Sequence, residues 1–435
     1  MKDFAISDDP AVQAQLDRLG ALTLPQGRLS LDPVRELCAR LGDPQDSMPP
    51  VLHVAGTNGK GSTCAYLRSI LETAGYTVHA ATKPHLVRYN ERIRIAGKLI
   101  DDALLAELLK EVLDAAGEMS PSFFEVTTVA TFLAFARIPA DACVIETGLG
   151  GRFDATNVMK VPLVCGIATL GLDHEAFLLA PEDNVPAEPL ARIAFEKAGI
   201  AKPGVPLVTQ AYPAIATREI EAAAARAGAP LFLRGRDWFA EAGASIHYRD
   251  ERGELTLPLP ALAGAHQADN AALAVAMLRR QRIFEVPKDA AGKGIVDTRW
   301  PARLQRLGRG PLTDLAPGRE VWLDGGHNPD AGAAIARHFA DQPRMHLVMG
   351  MLSSKDPAAI LQPLSGKLLS VSIVPAPGHE AHAPADFAPF TDMPVRSFPD
   401  VASALSAIDA PGDVLIAGSL YVAGDVLRLN RQIPD

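Results

Sequence analysis

The stretch Val51-Leu-His-Val-Ala-Gly56-Thr-Asn-Gly59-Lys60-Gly61-Ser62 decides how the rest of the chain is read. A short β-type run ends in a glycine-rich turn, and a helical pattern over residues 62–74 follows, stopped by Gly75. Glycines at such a turn let successive backbone N–H groups converge on phosphate oxygens. The helix N-terminus adds a favourable dipole, and Lys60 brings a mobile positive charge. A strict phosphate loop would carry Gly at 54 and Ser or Thr at 61, whereas this chain has Val54 and Gly61. The strand–turn–helix setting therefore carries the reading more than the spacing does, and it predicts a nucleotide site.

Outward from this point, apolar β-type runs alternate with Ala-rich helical patterns, the signature of a parallel sheet covered by helices. The fold class is α/β. A strand is expected near residues 77–81, helices over 101–116 and 124–137, and a buried strand over 141–145 that delivers Glu146 to its C-terminal end. Ligands of open α/β sheets gather at that edge. Residues 245–257 alternate as an antiparallel hairpin, and a helix is expected over 267–284. Residues 286–301, with Pro287, Gly292, Gly294 and Pro301, read as a linker. A second α/β unit follows, with strands near 320–324, 346–349, 368–374 and 413–417 and helices after Asn328, Asp356 and Asp400.

The chain has 435 residues, with 42 Lys plus Arg against 51 Asp plus Glu, a net charge of −9. That balance argues against a nucleic-acid binder working by phosphate neutralisation, while a local basic cleft stays allowed. Cys38, Cys64, Cys143 and Cys165 are widely spaced, so neither a disulfide framework nor a zinc knuckle is legible. The N-terminal residues lack a signal-peptide pattern, and no apolar run reaches the ~18 residues of a membrane span. A cytoplasmic protein is expected, with no membrane partner.

Four further groups carry chemistry. Glu146 opens a second glycine-rich turn, Gly148-Leu-Gly150-Gly151-Arg152-Phe-Asp154-Ala-Thr-Asn157. A carboxylate across from a phosphate loop suits Mg²⁺, which takes oxygen ligands and shares them with the nucleotide. His174, after Asp173, ends another strand and could ligate or simply be structural. Lys197 sits near a helix C-terminus, where a lysine ordinarily complements the dipole. Asp324-Gly-Gly-His327-Asn328-Pro329-Asp330 reads as an anion-contacting turn at a helix start, although N-capping by Asn328 with Pro329 next explains part of it.

Taken together, these residues resemble the folylpolyglutamate synthase and dihydrofolate synthase family, a branch of the Mur ligases. The resemblance runs from about residue 20 onward. It rests on Gly56 to Ser62, Pro84-His-Leu-Val-Arg-Tyr-Asn-Glu-Arg92, Glu146 to Asn157, Leu172-Asp-His174, Glu196-Lys-Ala-Gly-Ile200, His266-Gln-Ala-Asp-Asn270, Trp300-Pro-Ala-Arg303, Asp324 to Asp330, Gly350 to Asp356 and Gly418-Ser-Leu-Tyr421. It implies a P-loop ATPase domain with a mostly parallel sheet (residues 1–298), followed by a smaller Rossmann-like α/β domain (299–435), with substrates in the cleft between them. It also implies an ATP-dependent ligase that phosphorylates a carboxylate of dihydropteroate or a reduced folate and joins it to L-glutamate. The expected cofactors are ATP, one or two Mg²⁺ ions and a monovalent cation, and the expected state is a monomer.

Position by position, the resemblance gives ATP to Gly56, Thr57, Asn58, Gly59, Lys60, Gly61, Ser62, Asn270, Arg303 and Asp324, and metal to Glu146, His174 and Ser62. Lys197 matches a lysine carbamylated in the family, where the added carboxylate helps bind a metal. Phe123, Phe124, Glu125, Phe153, Asp154 and Ala155 match pterin-facing segments, with residues 24–28 as a cover. His327, Ser419 and Tyr421 match contacts of glutamate or phosphate, and Lys60, Lys197 and His327 form the catalytic set. One departure matters: the family usually has a metal-ligating Ser before Pro-His-Leu, and this chain has Lys83. An ammonium has no lone pair for a metal. The metal position is then altered, served by Thr82 or water, or replaced by the Lys83 charge. Two rivals to a bifunctional ligase stand: within the enzyme class a single-acceptor folylpolyglutamate synthase, and, motivated by Lys83, a regulatory nucleotide-binding relative with an impaired metal site. A second departure is the acid- and Pro-rich segment 175–190, read as a flexible loop at the cleft mouth.

Overall fold

The computed structural model describes residues 6–22, 30–380 and 382–435, so the expected cover at 24–28 lies outside the described residues. The chain divides into two compact units. One comprises Met1–Ala261 with Ala268–Thr298, and the other Leu262–Gln267 with Arg299–Asp435.

In the first unit, β1 (Val51–Ala55), β2 (Val78–Ala81), β3 (Ile93–Ile95), β4 (Lys98–Leu99), β5 (Ala142–Glu146), β6 (Val164–Ile167), β7 (Leu207–Thr209) and β8 (Leu231–Leu233) form one sheet. Its order is β4-β3-β2-β5-β1-β6-β7-β8. Pairing is parallel along β2-β5-β1-β6-β7-β8 and antiparallel for β2–β3 and β3–β4. Every residue of β1 and β5 is buried, as a strand covered on both faces requires. Helices Asp102–Ala116 and Phe123–Arg137 contribute Leu105, Leu109, Val112, Val129 and Phe132 to a core that also takes in Ile145 of β5. A second core joins Ala55 and Ile167 to helices Pro189–Ala198 and Ala214–Ala227.

Three expectations change here. The hairpin is a three-stranded antiparallel sheet, in which β10 (Ile246–Asp250) lies between β9 (Trp238–Ala242) and β11 (Gly253–Leu257). Ile246, Tyr248 and Asp250 alternate inward, and the Tyr248 ring stacks on Trp238 with centroids 5.9 Å apart. The following helix is His266–Arg280, shorter than the apolar pattern suggested. It stops because the buried Gln281 side chain accepts from the N–H groups of Ile283 and Phe284 at 2.7 Å and donates to the Leu278 and Phe284 carbonyls, replacing the helical ladder.

The expected linker at 286–301 instead contains helix Lys288–Asp297. Its glycines serve close packing. A Cβ on Gly294 would lie 2.6 Å from the Ile70 Cα of helix Lys60–Thr73, and the Ser69 hydroxyl donates to the Gly294 carbonyl at 2.8 Å.

The second unit carries β12 (Gln305–Arg306), β13 (Val321–Leu323), β14 (Met345–Met349), β15 (Leu368–Ile373), β16 (Val395–Ser397) and β17 (Val414–Ala417), ordered β12-β13-β17-β14-β15-β16. All pairs are parallel except β12–β13. The edge strands β12 and β16 are two and three residues long, too short to leave a periodic signal. Among the described residues, no helix is long and apolar enough to cross a membrane.

The Gly294 contact fixes the sign of a substitution. Alanine in a helix interior is favoured over glycine by about 1 kcal/mol, whereas overpacking against backbone costs about 1–3 kcal/mol. Gly294→Ala is therefore expected to lower the unfolding free energy in urea titration, and a rise would contradict this packing.

Candidate functional site

Parallel pairing brings the decisive loops to one edge. Val54 of β1 lies opposite Glu146 of β5, and the Thr147 N–H donates to the Val54 carbonyl at 2.9 Å. On the other side of β1, Ala55 lies opposite Ile167 of β6. Ala81 of β2 lies opposite Ile145, and the Lys83 N–H donates to Glu146 Oε2 at 3.1 Å. The glycine-rich turn after β1 thus stands between Glu146 and the loop that carries Asp173 and His174.

This turn is held by its neighbours. The N–H groups of Thr57 and Asn58 donate to the Thr169 carbonyl at 2.7 and 3.3 Å, and the Thr57 hydroxyl donates to the Gly171 carbonyl at 2.9 Å. Gly56 and Gly59 have φ of 150° and 80°, conformations that a side chain would strain. A Cβ on Gly59 would also meet Asn270 Oδ1 at 2.3 Å, so the buried Asn270 side chain lies directly on the loop. The first intrahelical bond runs from Thr63 N to Gly59 O, leaving the N–H groups of Lys60, Gly61 and Ser62 ahead of it, as an anion-binding helix start requires. Lys60 Nζ donates to the carbonyls of Gly56 and Thr57 at 2.9 and 3.1 Å.

Lys197 reaches the same carbonyl. It is buried, and its Nζ donates to Gly56 O at 2.9 Å. Burial, then the Lys60 charge, push its pKa down to about 7, against the pull of Asp173, Asp154 and Glu196. A dipole-complementing lysine would sit in solvent, and this one does not. Its position depends on a tight junction. Cβ atoms on Gly151 and Gly199 would fall 2.7 Å from Lys197 O and 2.5 Å from Arg152 Cα. The Arg152 N–H donates to Glu196 O at 2.7 Å.

Arg152 also bonds Glu182 and Glu196, and Arg192 bonds the same two carboxylates. Glu182 therefore anchors the segment expected to be a loose loop, and residues Glu175–Leu178 of that segment are helical.

Lys83 lies half-buried beside the second glycine-rich turn, where a Cβ on Gly148 would be 3.6 Å from its Nζ and 3.3 Å from Asp154 Oδ2. Burial lowers its pKa, and Arg92 adds to this, while Asp154 and Glu146 oppose it. Asp154 accepts from the N–H groups of Gly148 and Leu149 at 2.8 Å, and from the N–H and hydroxyl of Thr156 at 3.0 and 2.5 Å. Burial would raise its pKa, but Lys83 and these bonds hold it below the usual carboxylate range. Its carboxylate builds the turn.

The donors available to Mg²⁺ are the Glu146 carboxylate, the buried Ser62 hydroxyl and the partly exposed His174 ring, which lies 4.0 Å from Asp173. The Cys64 thiol on the phosphate-loop helix, raised by burial, is raised further by Glu146 and lowered by Lys60, so both charges bear on this helix start. Among the described residues, no three His, Cys, Asp or Glu side chains cluster as a metal cage. One or two carboxylates and a hydroxyl, completed by nucleotide phosphates and water, is the set Mg²⁺ takes, so the residues fit a nucleotide-borne ion.

Of the segments expected at a pterin, Phe123 packs edge-on to Tyr89 and Phe124 at 6.0 and 5.3 Å, Phe124 is 38% exposed, and Phe153 lies under the Arg152 guanidinium at 4.3 Å. Phe153 and Ala155 pack against the first core. Glu125 has local work: its carboxylate accepts from Ser122 N at 2.6 Å while Ser122 Oγ accepts from Glu125 N, a capping box.

In the second unit, Asp324 accepts from the N–H groups of Leu304 and Gly326 at 2.8 and 2.7 Å, and Arg303 lies against Gly325. Asn328 caps helix Pro329–His338, and Ser419 caps helix Leu420–Leu429. His327 precedes the first cap, and the Tyr421 ring lies 3.9 Å from that of His379.

No family model matches the chain. It is 32% identical over 420 residues, 91% of this chain and 93% of the relative, to a Bacillus subtilis protein named dihydrofolate synthase/folylpolyglutamate synthase. The solved Escherichia coli FolC in complex with DHPP and ADP superposes with a TM-score of 0.84 at 31% identity, covering 97% of both chains. A bifunctional folylpolyglutamate synthase/dihydrofolate synthase solved with Mn, AMPPNP and L-glutamate bound gives 0.82 at 30% identity, covering 98% of this chain and 99% of the other. With a phosphate loop, a facing carboxylate and a buried lysine at one sheet edge, and with such identity across nearly the whole of both chains, the protein belongs to the folylpolyglutamate synthase/dihydrofolate synthase family.

Proposed function

We propose that this protein is an ATP-dependent amide ligase that joins L-glutamate both to dihydropteroate and to reduced folates. The observation that carries the reading is the convergence of Lys60, Lys197 and Glu146 on the turn after β1. The named activities of its relatives, and the ligands in their solved structures, supply the substrate classes.

The chemistry follows from the leaving group. A carboxylate cannot release oxide, so an oxygen of the acceptor carboxylate bonds to the γ-phosphorus of ATP and ADP departs. The glutamate amine then bonds to the acyl carbon, phosphate leaves, and one proton is released. Negative charge gathers first on the transferring phosphoryl group and then on the acyl oxygen. Lys60 and the N–H groups of Lys60, Gly61 and Ser62 hold the phosphates, and Asn270 buttresses Gly59. Glu146, Ser62 and His174 would hold Mg²⁺, which when bound supplies Lewis-acid charge at the phosphate oxygens.

Arg303 and Asp324 contact the nucleotide, His327, Ser419 and Tyr421 contact glutamate or the phosphoryl group, and Phe123, Phe124, Phe153 and Ala155 face the pterin. Asp154 and Glu125 act by shaping that segment. The two folding units are the two catalytic domains, and the four buried free thiols accord with work in the reducing cytoplasm.

Lys197 is the site of N-carboxylation. The reaction needs a neutral amine, R–NH₂ + CO₂ → R–NH–COO⁻ + H⁺, and an amine with a pKa near 7 supplies it at neutral pH. As pH falls through 7 the ammonium form prevails and has no lone pair, so modification declines on the acid side. Intact-mass measurement under bicarbonate is expected to show the CO₂ adduct at pH 8.5 and its loss at pH 6. An unmodified Lys197 in fully active enzyme contradicts the role.

With ATP, Mg²⁺ and L-glutamate, phosphate release is expected with dihydropteroate and with tetrahydrofolate. Lys60→Ala should lower kcat by about 10²- to 10³-fold without unfolding. Release with one acceptor restricts the enzyme to that substrate. Release with neither, together with recovery by Lys83→Ser, would replace this reading with the degenerate nucleotide-binding relative.

A further inference from the structure

The loop after β2 contains a histidine to which none of the roles above applies. His85 is half-buried, and Arg92 Nε donates to its Nδ1 at 2.9 Å. A guanidinium N–H can only donate, so Nδ1 must be the lone-pair nitrogen and the neutral ring must carry its proton on Nε2. Arg92 is itself buried, with its guanidinium 5.1 Å from the Tyr89 ring centroid and 5.6 Å from that of Phe123, which fixes the donor. The His85 ring lies 5.6 Å from Tyr89. Burial and then the Arg92 charge hold the imidazole far below its ordinary pKa, at about 2, so it stays neutral. Among the described residues, Nε2 on the opposite edge of the ring makes no hydrogen bond.

This donor stands between two regions already described. Two residues before it, Lys83 binds Glu146 through its backbone. Phe123, under Arg92, opens the aromatic segment. The Arg92 guanidinium places positive charge beside the ring, which favours an anionic oxygen as the partner of the free N–H.

We propose that His85 Nε2–H binds the carboxylate of the pteroyl acceptor, gripping the oxygen that is not phosphorylated. The inference rests on the ligase reading above and adds a contact to it. No proton moves in this contact. When the other oxygen bonds to phosphorus, the gripped oxygen becomes the acyl carbonyl. When the glutamate amine adds, it becomes the oxyanion, and the same N–H, polarised by Arg92, follows it.

The test compares the full-length protein with His85→Phe, which keeps the ring volume, and His85→Gln, whose Oε1 can accept from Arg92 while its amide N–H donates outward. Calorimetry with dihydropteroate in the presence of Mg²⁺ and a non-hydrolysable ATP analogue should show acceptor binding weakened about tenfold or more in His85→Phe. The analogue's own affinity should stay unchanged, and His85→Gln should recover most of the loss. Equal acceptor affinity in wild type and His85→Phe would overturn the proposal. Failure of the wild type to bind any acceptor would instead overturn the ligase reading. If His85→Phe does not fold, ¹⁵N NMR of the wild-type imidazoles decides: a protonated His85 Nε2 whose resonance moves on adding dihydropteroate is expected, and an unmoved resonance overturns the assignment.

Discussion

Everything at this site depends on the parallel pairing of β1 with β5 on one side and β6 on the other. A parallel register sends consecutive C-terminal ends to the same edge, so Val54 and Glu146 become neighbours although 92 residues apart in sequence. Shifting β5 by one residue would turn the Glu146 side chain to the opposite face of the sheet. Burial of every β1 and β5 residue fixes that register, because a slip would strand apolar side chains.

A protein of net charge −9 gathers lysines at this edge of the sheet. Lys60 and Lys197 share the Gly56 carbonyl, and Lys83 lies by the next glycine-rich turn. Burial first, and then the Lys60 charge, bring the Lys197 pKa down to about 7. Asp173 and Asp154 oppose this at Lys197, and Asp154 and Glu146 oppose the effect of burial at Lys83. The junction of Gly151 with Gly199 and the Arg152–Glu196–Arg192–Glu182 network hold the backbone that carries Lys197. Removing one partner of so buried a network would leave an uncompensated charge.

The strand–turn–helix at residues 51–74 and the strand ending at Glu146 were legible because apolar periodicity and glycine placement are local signals. So was the second α/β unit. The glycines of 292–294 misled, since a glycine that admits a neighbouring helix and a glycine that breaks one look alike until the neighbour is known. Glu125 is a different case: Ser122-Phe-Phe-Glu125 carries a capping-box pattern in the sequence itself, which the hydrogen bonds of both residues fulfil. Glu182 binding Arg152 and Arg192 was beyond reach, because pairings over 30 and 10 residues across a loop carry no periodicity. The His85 tautomer is likewise a product of geometry, though Pro84 to Arg92 marked the loop.

The central claim is that the sheet edge aligns Glu146 with the phosphate loop so that nucleotide and divalent ion bind as one unit. Titrating Mn²⁺ by electron paramagnetic resonance into wild type and Glu146→Gln, each saturated with a non-hydrolysable ATP analogue, tests this most directly. The structure predicts tight Mn²⁺ binding in the wild type and binding weakened by at least tenfold in Glu146→Gln, with the analogue still bound. Unchanged Mn²⁺ affinity in Glu146→Gln would contradict it.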